Sequence, residues 1–412
     1  MTTDKPSPTQ NIILGPRQML FVYLASPLAI TYMSLTGILI PLRLLELNTS
    51  PAMIGLFVGA SGLLATVSAV PAGAIAEAMG PRRAYLVGAV LNGFAAAAFA
   101  LIDNYWALLV IQMLRGAPHS LGWVAGQTYI MGIGRPEERA KIAGRFGASS
   151  SMLGFGGPLL MGGLAQIVGF QHSFWFVSAY CFFFAIVGLT LPEIQRPPAG
   201  SKASMLSLGY GSALNLLKIR TVKIALLLTF VRLWIGSGWQ PFYIIFLQQQ
   251  GFAPVLIGAV NAVNALVSSI TGLQVDLLTR RVSKELVTAV GLGLGGLGVL
   301  ISPYLATVPL VFLPSFLMGL GGGVSLPLVM AMLADEAGPG QRGVAMGLRT
   351  TANQAGGMLA PLAVGLIISP IGIETGFALN AVAIWVMLGA AMLLHRTTKR
   401  PAVAQVITQP TG

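Results

Sequence analysis

Charged side chains are scarce in this chain. Only 9% of its 412 residues are Asp, Glu, Lys or Arg, whereas soluble domains carry about 25%. Hydrophobic residues make up 55% of the sequence, and this inventory excludes a water-soluble surface. Uncharged runs of about 20 apolar residues instead predict helices that cross a bilayer. Runs such as "ALLLTFV" lack the alternation that a membrane β-barrel requires.

Cysteine and histidine are almost absent. The single Cys181 cannot form an internal disulfide and indicates no compartment, and the three histidines have no metal-ligand spacing. The sequence has no Walker phosphate loop and no grouped catalytic residues. It therefore predicts neither an enzyme nor an ATP-driven pump, and we expect no cofactor and no metal.

Twelve apolar spans are predicted from hydropathy. They are 19–41, 52–76, 84–102, 105–131, 147–169, 172–191, 223–248, 254–276, 287–304, 307–333, 344–370 and 373–394. With the N-terminus in the cytoplasm, Arg43 alone lies outside, Arg115 and Arg232 lie within spans, and the other lysines and arginines fall on the cytoplasmic side. This distribution predicts cytoplasmic termini, and it assigns the net charge of +12 to membrane topology rather than to nucleic-acid binding.

The spans divide six and six around the polar stretch 192–220. We predict an N-terminal half at 1–192, a cytoplasmic linker at 193–222, a C-terminal half at 223–397 and a cytoplasmic tail at 398–412. Two sets of residues recur 203 positions apart: Pro51, Ile54 and Gly55 as Pro254, Ile257 and Gly258, and Arg139, Gly144, Gly154 and Pro158 as Arg342, Gly347, Gly357 and Pro361. Six spans return the chain to the same side, so the repeat is parallel and predicts a pseudo-two-fold axis along the membrane normal.

A glycine, a carboxylate and paired arginines mark the predicted cytoplasmic ends of spans 2 and 8. The two copies read "GAIAEAMGPRRAYL" and "GLQVDLLTRRVS", with motif residues Gly73, Glu77, Arg82 and Arg83, then Gly272, Asp276, Arg280 and Arg281. The first copy resembles the signature loop of the major facilitator superfamily, although Glu77, Ala78 and Pro81 depart from its usual residues. The resemblance implies twelve helices in two halves, and a cytoplasmic gate in which Glu77 faces the start of span 11. Simple anchoring of the topology is the alternative.

Span 5 contains "GFGGPLLMGG", which includes Gly157 and Pro158. It resembles the Gly-Pro motif of the family's antiporters, with three residues rather than two before the glycine pair. The resemblance favours export. Close helix packing and a proline kink would explain the same residues without transport direction.

Charges in mid-bilayer cost about 2.5–3.5 kcal/mol on insertion scales and commonly mark function. Arg115 and Arg232 occupy such positions, and polar or aromatic residues follow them at helical spacing. The candidate substrate-binding residues are Arg115, His119, Trp123, Gln127, Arg232, Trp239, Gln240 and Tyr243. Two arginines beside aromatic rings suit an anion with an apolar body. Hydrogen bonds to neighbouring helices and ordinary aromatic packing remain open for these residues.

Carboxylates are missing from the middle of every predicted span. His119 is the mid-span side chain whose ordinary pKa is near neutral, so proton coupling would require His119 or the carboxylates Glu77 and Asp276 near the membrane face. A structural hydrogen bond is the alternative for His119.

These features predict a multi-pass protein of the bacterial inner (cell) membrane that moves a small molecule by alternating access. Its expected partners are the lipid bilayer, an anionic or amphiphilic substrate and protons, but not nucleic acid. The leading interpretation is an exporter of the drug or metabolite:proton antiport type. The alternative is an uptake carrier or facilitator for a small organic anion.

Overall fold

A computed structural model describes residues 15–25, 28–132, 139–190, 215–336 and 342–396. This part of the chain is helical with short turns and has no strand. Nine of its helices are long and apolar enough to cross a membrane. They correspond to predicted span 3 and spans 5 to 12, with bounds Pro81–Leu101, Arg139–Val168, Phe170–Leu189, Arg220–Gln249, Pro254–Leu273, Lys284–Ile301, Leu313–Glu336, Arg342–Ile371 and Ile373–Arg396.

The other three predicted spans are also helical, and two of them are divided. Span 1 comprises Pro16–Ala25 and Leu28–Glu46, span 2 is Pro51–Met79, and span 4 comprises Tyr105–Leu114 and Gly116–Gly132. Pro118 explains the division in span 4, because it has no N–H to donate to the Leu114 carbonyl. Helical hydrogen bonds continue on both sides of this division. The Arg115 amide donates to the Ile111 carbonyl at 2.9 Å, and the His119 amide donates to the Arg115 carbonyl at 3.0 Å.

Two helices differ in extent from the predicted spans. The helix of span 5 begins at Arg139, because basic residues extend it beyond the apolar run, while its membrane-crossing stretch Ser149–Val168 agrees with the predicted 147–169. Span 8 ends at Leu273, and a separate one-turn helix, Val275–Leu278, carries Asp276. Short 3₁₀ helices at Ser302–Tyr304 and Leu310–Phe312 connect spans 9 and 10. Most of the predicted linker and the whole tail lie outside the described residues, so the domain boundaries stay predictions.

Local sequence signals set several helix ends. The side-chain oxygens of Ser50, Asn104 and Ser283 accept hydrogen bonds from backbone amides three residues on, which caps spans 2, 4 and 9. Gly169 and Gly372 turn the chain between spans 5 and 6 and between spans 11 and 12, with φ of 83° and 82°. A side chain would strain either turn. The two glycines lie 203 residues apart, as the repeat requires.

Helix packing repeats in the two halves. In the N-terminal half, span 1 packs on spans 5 and 6, span 4 packs on spans 2 and 3, and span 3 also packs on span 6. The C-terminal half repeats every one of these pairs, with each span number raised by six. Spans 2 and 11 and spans 5 and 8 cross between the halves, and the pseudo-two-fold axis exchanges these two crossings. The predicted fold of two related six-helix halves is therefore confirmed.

Small residues form the crossings between the halves. A Cβ atom on Gly55 would overlap the Pro361 carbonyl oxygen, and one on Gly258 would overlap that of Pro158. These two contacts are copies of each other in the 203-residue repeat. Both lie at the predicted outer end of the bundle, where backbones touch and the two halves are closed against each other.

Candidate substrate-binding site

Arg115 lies inside the N-terminal half and has partners from two helices. Its Nε donates to Gln112 Oε1 at 3.0 Å, and its guanidinium carbon lies 5.0 Å from the ring centroid of Tyr32 in span 1. The arginine is only 8% exposed, and its Nη1 is buried with no hydrogen-bond partner among the described residues. One end of the guanidinium group is therefore held, while the other still offers donors to a ligand.

The residues that follow Arg115 at intervals of four share its helix face. His119 has a buried Nδ1 without a hydrogen bond in the described structure, and Trp123 is 37% exposed. Unsatisfied buried nitrogen atoms are uncommon in helical proteins, so His119 is a second ligand candidate on this face. Gln127 lies on the helix, but its side chain falls outside the described residues.

Arg232 in span 7 is within electrostatic range of a second arginine, which the sequence interpretation assigned to the cytoplasmic side. This residue is Arg349, which lies in span 11 just inside the apolar stretch that begins at Gly347, and whose charge acts on Arg232. The Nε atoms of both arginines are buried and have no hydrogen-bond partner within the described ranges. The same holds for Oδ1 of Asn353, one turn beyond Arg349. The spacing of four between Arg349 and Asn353 was the sequence signal that could have identified this cluster.

Trp239 and Tyr243 form part of the core of the C-terminal half. Their rings stack at 4.6 Å, Trp239 Nε1 donates to Ser302 Oγ at 3.1 Å, and the Tyr243 hydroxyl donates to the Val311 carbonyl at 3.0 Å. The protein itself thus satisfies both polar groups, and both side chains are buried. Packing accounts for these two residues, so we leave them out of the proposed site.

Gln240 lies where the two halves meet. Its Nε2 donates to Asn261 Oδ1 at 3.1 Å, and the same nitrogen is 3.7 Å from where a Cβ of Gly37 would stand. Positions 37 and 240 are 203 residues apart, so they are equivalent in the repeat. A residue beside its own equivalent lies close to the pseudo-two-fold axis, so Gln240 lies near the middle of the contact between the two halves.

The two copies of the glycine–carboxylate–arginine motif differ in structure. Arg82 donates from Nε to the Gly188 carbonyl at 3.1 Å and from Nη2 to the Leu189 carbonyl, which caps the end of span 6. Arg83, Asp276 and Arg280 are exposed. The surroundings of Gly73 and Glu77 lie outside the described residues, so the proposed gate stays a prediction.

Pro158 is accommodated by a side chain from span 1. A proline at this position cannot donate to the Gly154 carbonyl, and Ser34 Oγ instead donates to the carbonyls of Gly154 and Leu153, each at 3.1 Å. Gly157 permits this approach, because a Cβ there would overlap Ser34 Oγ. The Gly-Pro motif thus joins spans 1 and 5 and, through Gly258, also joins spans 5 and 8.

Two helical halves with charged side chains turned toward their interior form the architecture of a secondary transporter. A family model described as the Major Facilitator Superfamily matches residues 20–308 and 225–410. The chain therefore belongs to the major facilitator superfamily, as the sequence motifs suggested. It is a multi-pass membrane transporter of small molecules rather than an enzyme.

Known relatives are similar over different parts of the chain. An uncharacterized MFS-type transporter of Methanocaldococcus jannaschii is 21% identical over 80% of this chain and 85% of its own length. The multidrug resistance protein MdtG of Proteus mirabilis is 31% identical over 31% of this chain and 32% of its own. Citrate exporter 1 of Aspergillus niger is 31% identical over 31% of this chain and 25% of its own.

Solved structures confirm the fold. The crystal structure of the nucleoside transporter NupG superposes with a TM-score of 0.75 at 16% identity and covers 92% of this chain and 100% of that one. At this identity the likeness extends to the fold alone.

Proposed function

We propose that this transporter exports a small organic anion with an apolar or aromatic body. The observation that carries the proposal is that Arg115 in one half and Arg232 in the other have no carboxylate partner in the described structure and keep buried nitrogen atoms without a hydrogen bond there. A buried cation without a partner is costly, and a bound anion would offset that cost. Trp123, which is partly exposed on the Arg115 face, suits the apolar part of such a substrate.

Export is favoured by two observations. The Gly-Pro motif of span 5 resembles that of antiporters in the family, and two relatives that match part of the chain are named as a multidrug resistance protein and a citrate exporter. We propose the bacterial inner membrane as the location, with both termini in the cytoplasm, on the basis of the basic residues that alternate between the loops.

Proton antiport is the proposed driving force, with His119 as the coupling residue. Its buried Nδ1 lies one helical turn from Arg115, so a protonated His119 and a bound anion would influence each other directly. Antiport in this scheme requires the substrate to bind while His119 is neutral and the proton to bind the empty site. Attraction between a protonated His119 and the anion would instead carry both in the same direction.

Purified protein in liposomes tests this proposal. An imposed proton gradient should drive labelled organic anion against its concentration gradient, toward the side from which protons leave. Substitution of His119→Gln should abolish the response to pH but retain exchange between anions, whereas Arg115→Gln should abolish both. Undiminished pH-driven transport by the His119→Gln protein would exclude the histidine from coupling. Movement of anion together with protons would instead support the uptake carrier.

A further inference from the structure

We propose that Gln112 and Tyr32 are positioning residues, which orient the guanidinium group of Arg115 and leave its charge available to the acid group of the substrate. This inference rests on the proposed function and names the residues that prepare the N-terminal arginine for binding. Neither residue is among the candidates from the sequence. Tyr32 lies in a different span, and its approach to Arg115 becomes visible only in the packing.

Gln112 holds the Nε edge of the guanidinium group. Its Oε1 accepts a hydrogen bond from Arg115 Nε at 3.0 Å, and both residues are buried, with exposed fractions of 3% and 8%. An amide oxygen fixes the direction of the guanidinium group but carries no charge, so Arg115 keeps its full positive charge. A carboxylate at position 112 would instead form an ion pair and neutralise that charge.

Tyr32 contacts the guanidinium group from span 1. Its ring centroid lies 5.0 Å from the guanidinium carbon, which is within the range of a cation–π interaction. The whole side chain is buried, and its hydroxyl has no hydrogen-bond partner among the described residues. We therefore assign the contact with Arg115 to the ring, which attracts a cation without neutralising it.

Arg43, in the same half of the molecule, has the surroundings of a structural arginine. It is buried to a similar extent, but Glu46 and Asp103 offset its charge. Arg115 has no carboxylate partner in the described part of the chain, and the sequence has no carboxylate in the middle of a predicted span. The protein thus fixes the orientation of Arg115 but does not offset the cost of burying its charge.

The hydrogen bond to Gln112 leaves the edge formed by Nη1 and Nη2 for the substrate. Two parallel hydrogen bonds from this edge fit two oxygen atoms of a carboxylate or a phosphate. An arginine that is already oriented loses less conformational freedom when it binds, which corresponds to a gain of about two- to tenfold in affinity. Orientation by neutral groups therefore favours an anion twice, through the retained charge and through the fixed geometry.

Aromatic acids test the inference in the purified, full-length protein. Benzoate, phthalate and phenyl phosphate carry one carboxylate, two carboxylates and one phosphate on the same ring, and benzamide is the neutral counterpart of benzoate. Calorimetry gives the charge preference, which is the affinity for an acid divided by the affinity for benzamide. The wild-type protein should prefer at least one acid by about tenfold or more, because a charge-assisted hydrogen bond contributes about that factor.

Variants of Gln112 separate charge from orientation. Gln112→Glu should abolish the charge preference and raise the melting temperature of the ligand-free protein, because the new carboxylate neutralises Arg115. Gln112→Met keeps the length of the side chain without the acceptor, and it should lower the preference by about two- to tenfold. Gln249→Glu is the control of equal charge at an exposed position and should change neither quantity. Lower melting temperatures with an intact preference in both Gln112 variants would show a structural residue and overturn the proposal.

Variants of Tyr32 test the contribution of the ring. Tyr32→Phe should retain the charge preference, whereas Tyr32→Leu should lower it by about two- to tenfold, because Arg115 loses the contact that restrains it. A general loss of packing would weaken the binding of benzamide as well, so it would not change the ratio. An unchanged preference in Tyr32→Leu would exclude the ring from positioning, and a lost preference in Tyr32→Phe would contradict the assignment to the ring.

The failure of this inference differs from the failure of the proposed function. If the wild-type protein prefers no acid to benzamide, or if Arg115→Gln retains the preference, both are wrong. If the preference requires Arg115 but survives Gln112→Glu and Tyr32→Leu, the positioning role is wrong while anion binding stands. If the variants behave as predicted but no anion is transported in liposomes, the positioning role stands and the transport proposal is wrong.

Discussion

Arginine has different surroundings at the end of the bundle and in its interior. Arg43, the one basic residue predicted outside, has a buried side chain that bonds to Glu46 at 3.0 Å and to Asp103. Gln171 Nε2 in turn donates to Asp103 Oδ1 and to the Ala100 carbonyl, so hydrogen bonds connect span 1 to the ends of spans 3 and 6. All three arginines keep a buried nitrogen atom without a hydrogen bond in the described residues. Arg115 and Arg232 differ from Arg43 in having no carboxylate partner there, whereas Arg43 has two. The first arrangement indicates stability, and the second indicates a ligand.

Replacement of Arg43 should therefore affect folding and not binding. We expect Arg43→Met to lower the free energy of unfolding by about 1–3 kcal/mol, because the buried network loses its central donor. The measurement is thermal unfolding in detergent, together with the affinity for phthalate, which should not change. Lys284→Met is the matched control, since its ion pair with Asp335 is exposed and should contribute less than about 1 kcal/mol. Equal losses in the two variants would contradict this distinction.

The sequence predicted the interior arginines only in part. Arg115 and Arg232 were recognisable because each interrupts an apolar run. Arg349 was not, because it lies five residues after the predicted start of span 11, where a basic residue ordinarily reports topology. For Trp239 and Tyr243 the sequence left both ligand contact and packing open. Helical spacing placed them beside Arg232, but spacing cannot reveal that Ser302 and the Val311 carbonyl satisfy their polar groups.

At the scale of elements, one serine compensates for one proline. The hydrogen bonds from Ser34 to span 5 are required because Pro158 leaves the Gly154 carbonyl without its helical donor. The span limits themselves were largely predictable, since long apolar runs determine them. The partner of the freed carbonyl was not, because it lies 120 residues away in the chain.

A double-mutant cycle tests this compensation. Ser34→Ala should destabilise the wild-type protein by about 1 kcal/mol, because a partly buried carbonyl loses its donor. In a Pro158→Ala background the backbone N–H is restored, so the same change should cost less, with a coupling energy of about 1 kcal/mol. Unfolding in a denaturant series measures all four proteins. Additive effects would show that Ser34 does not act through the proline.

At the scale of the whole molecule, the 203-residue repeat produces two equivalent close contacts between the halves, which we call seals. Gly55 against Pro361 and Gly258 against Pro158 hold the halves together at the predicted outer end. Alternating access requires both seals to separate together as the halves rock about the central cavity. The repeated glycines were visible in the sequence, but only the packing reveals that each copy meets the other.

Enlarging one seal should open both. We expect Gly55→Ala to shift the protein toward a state open at the predicted outer end, because its Cβ would overlap a backbone oxygen that cannot move independently. Spin labels at Val168 and Gln250 flank the crossing of spans 5 and 8. The distance between them, measured by electron paramagnetic resonance, should be longer in the Gly55→Ala protein than in the wild type. Gly389→Ala is the control, because nothing lies within 4 Å of a Cβ there. An unchanged distance in the Gly55→Ala protein would show that the two crossings move independently.

The central claim, carriage of an organic anion by alternating access, is tested most directly by counterflow in proteoliposomes. Vesicles loaded with unlabelled phthalate are diluted into a trace of labelled phthalate, so that neither transport direction nor proton coupling needs to be known. We expect a transient accumulation of label above equilibrium with the wild-type protein and none with Arg115→Gln. Label that never exceeds the level in protein-free vesicles, for phthalate, phenyl phosphate and benzoate alike, would contradict it.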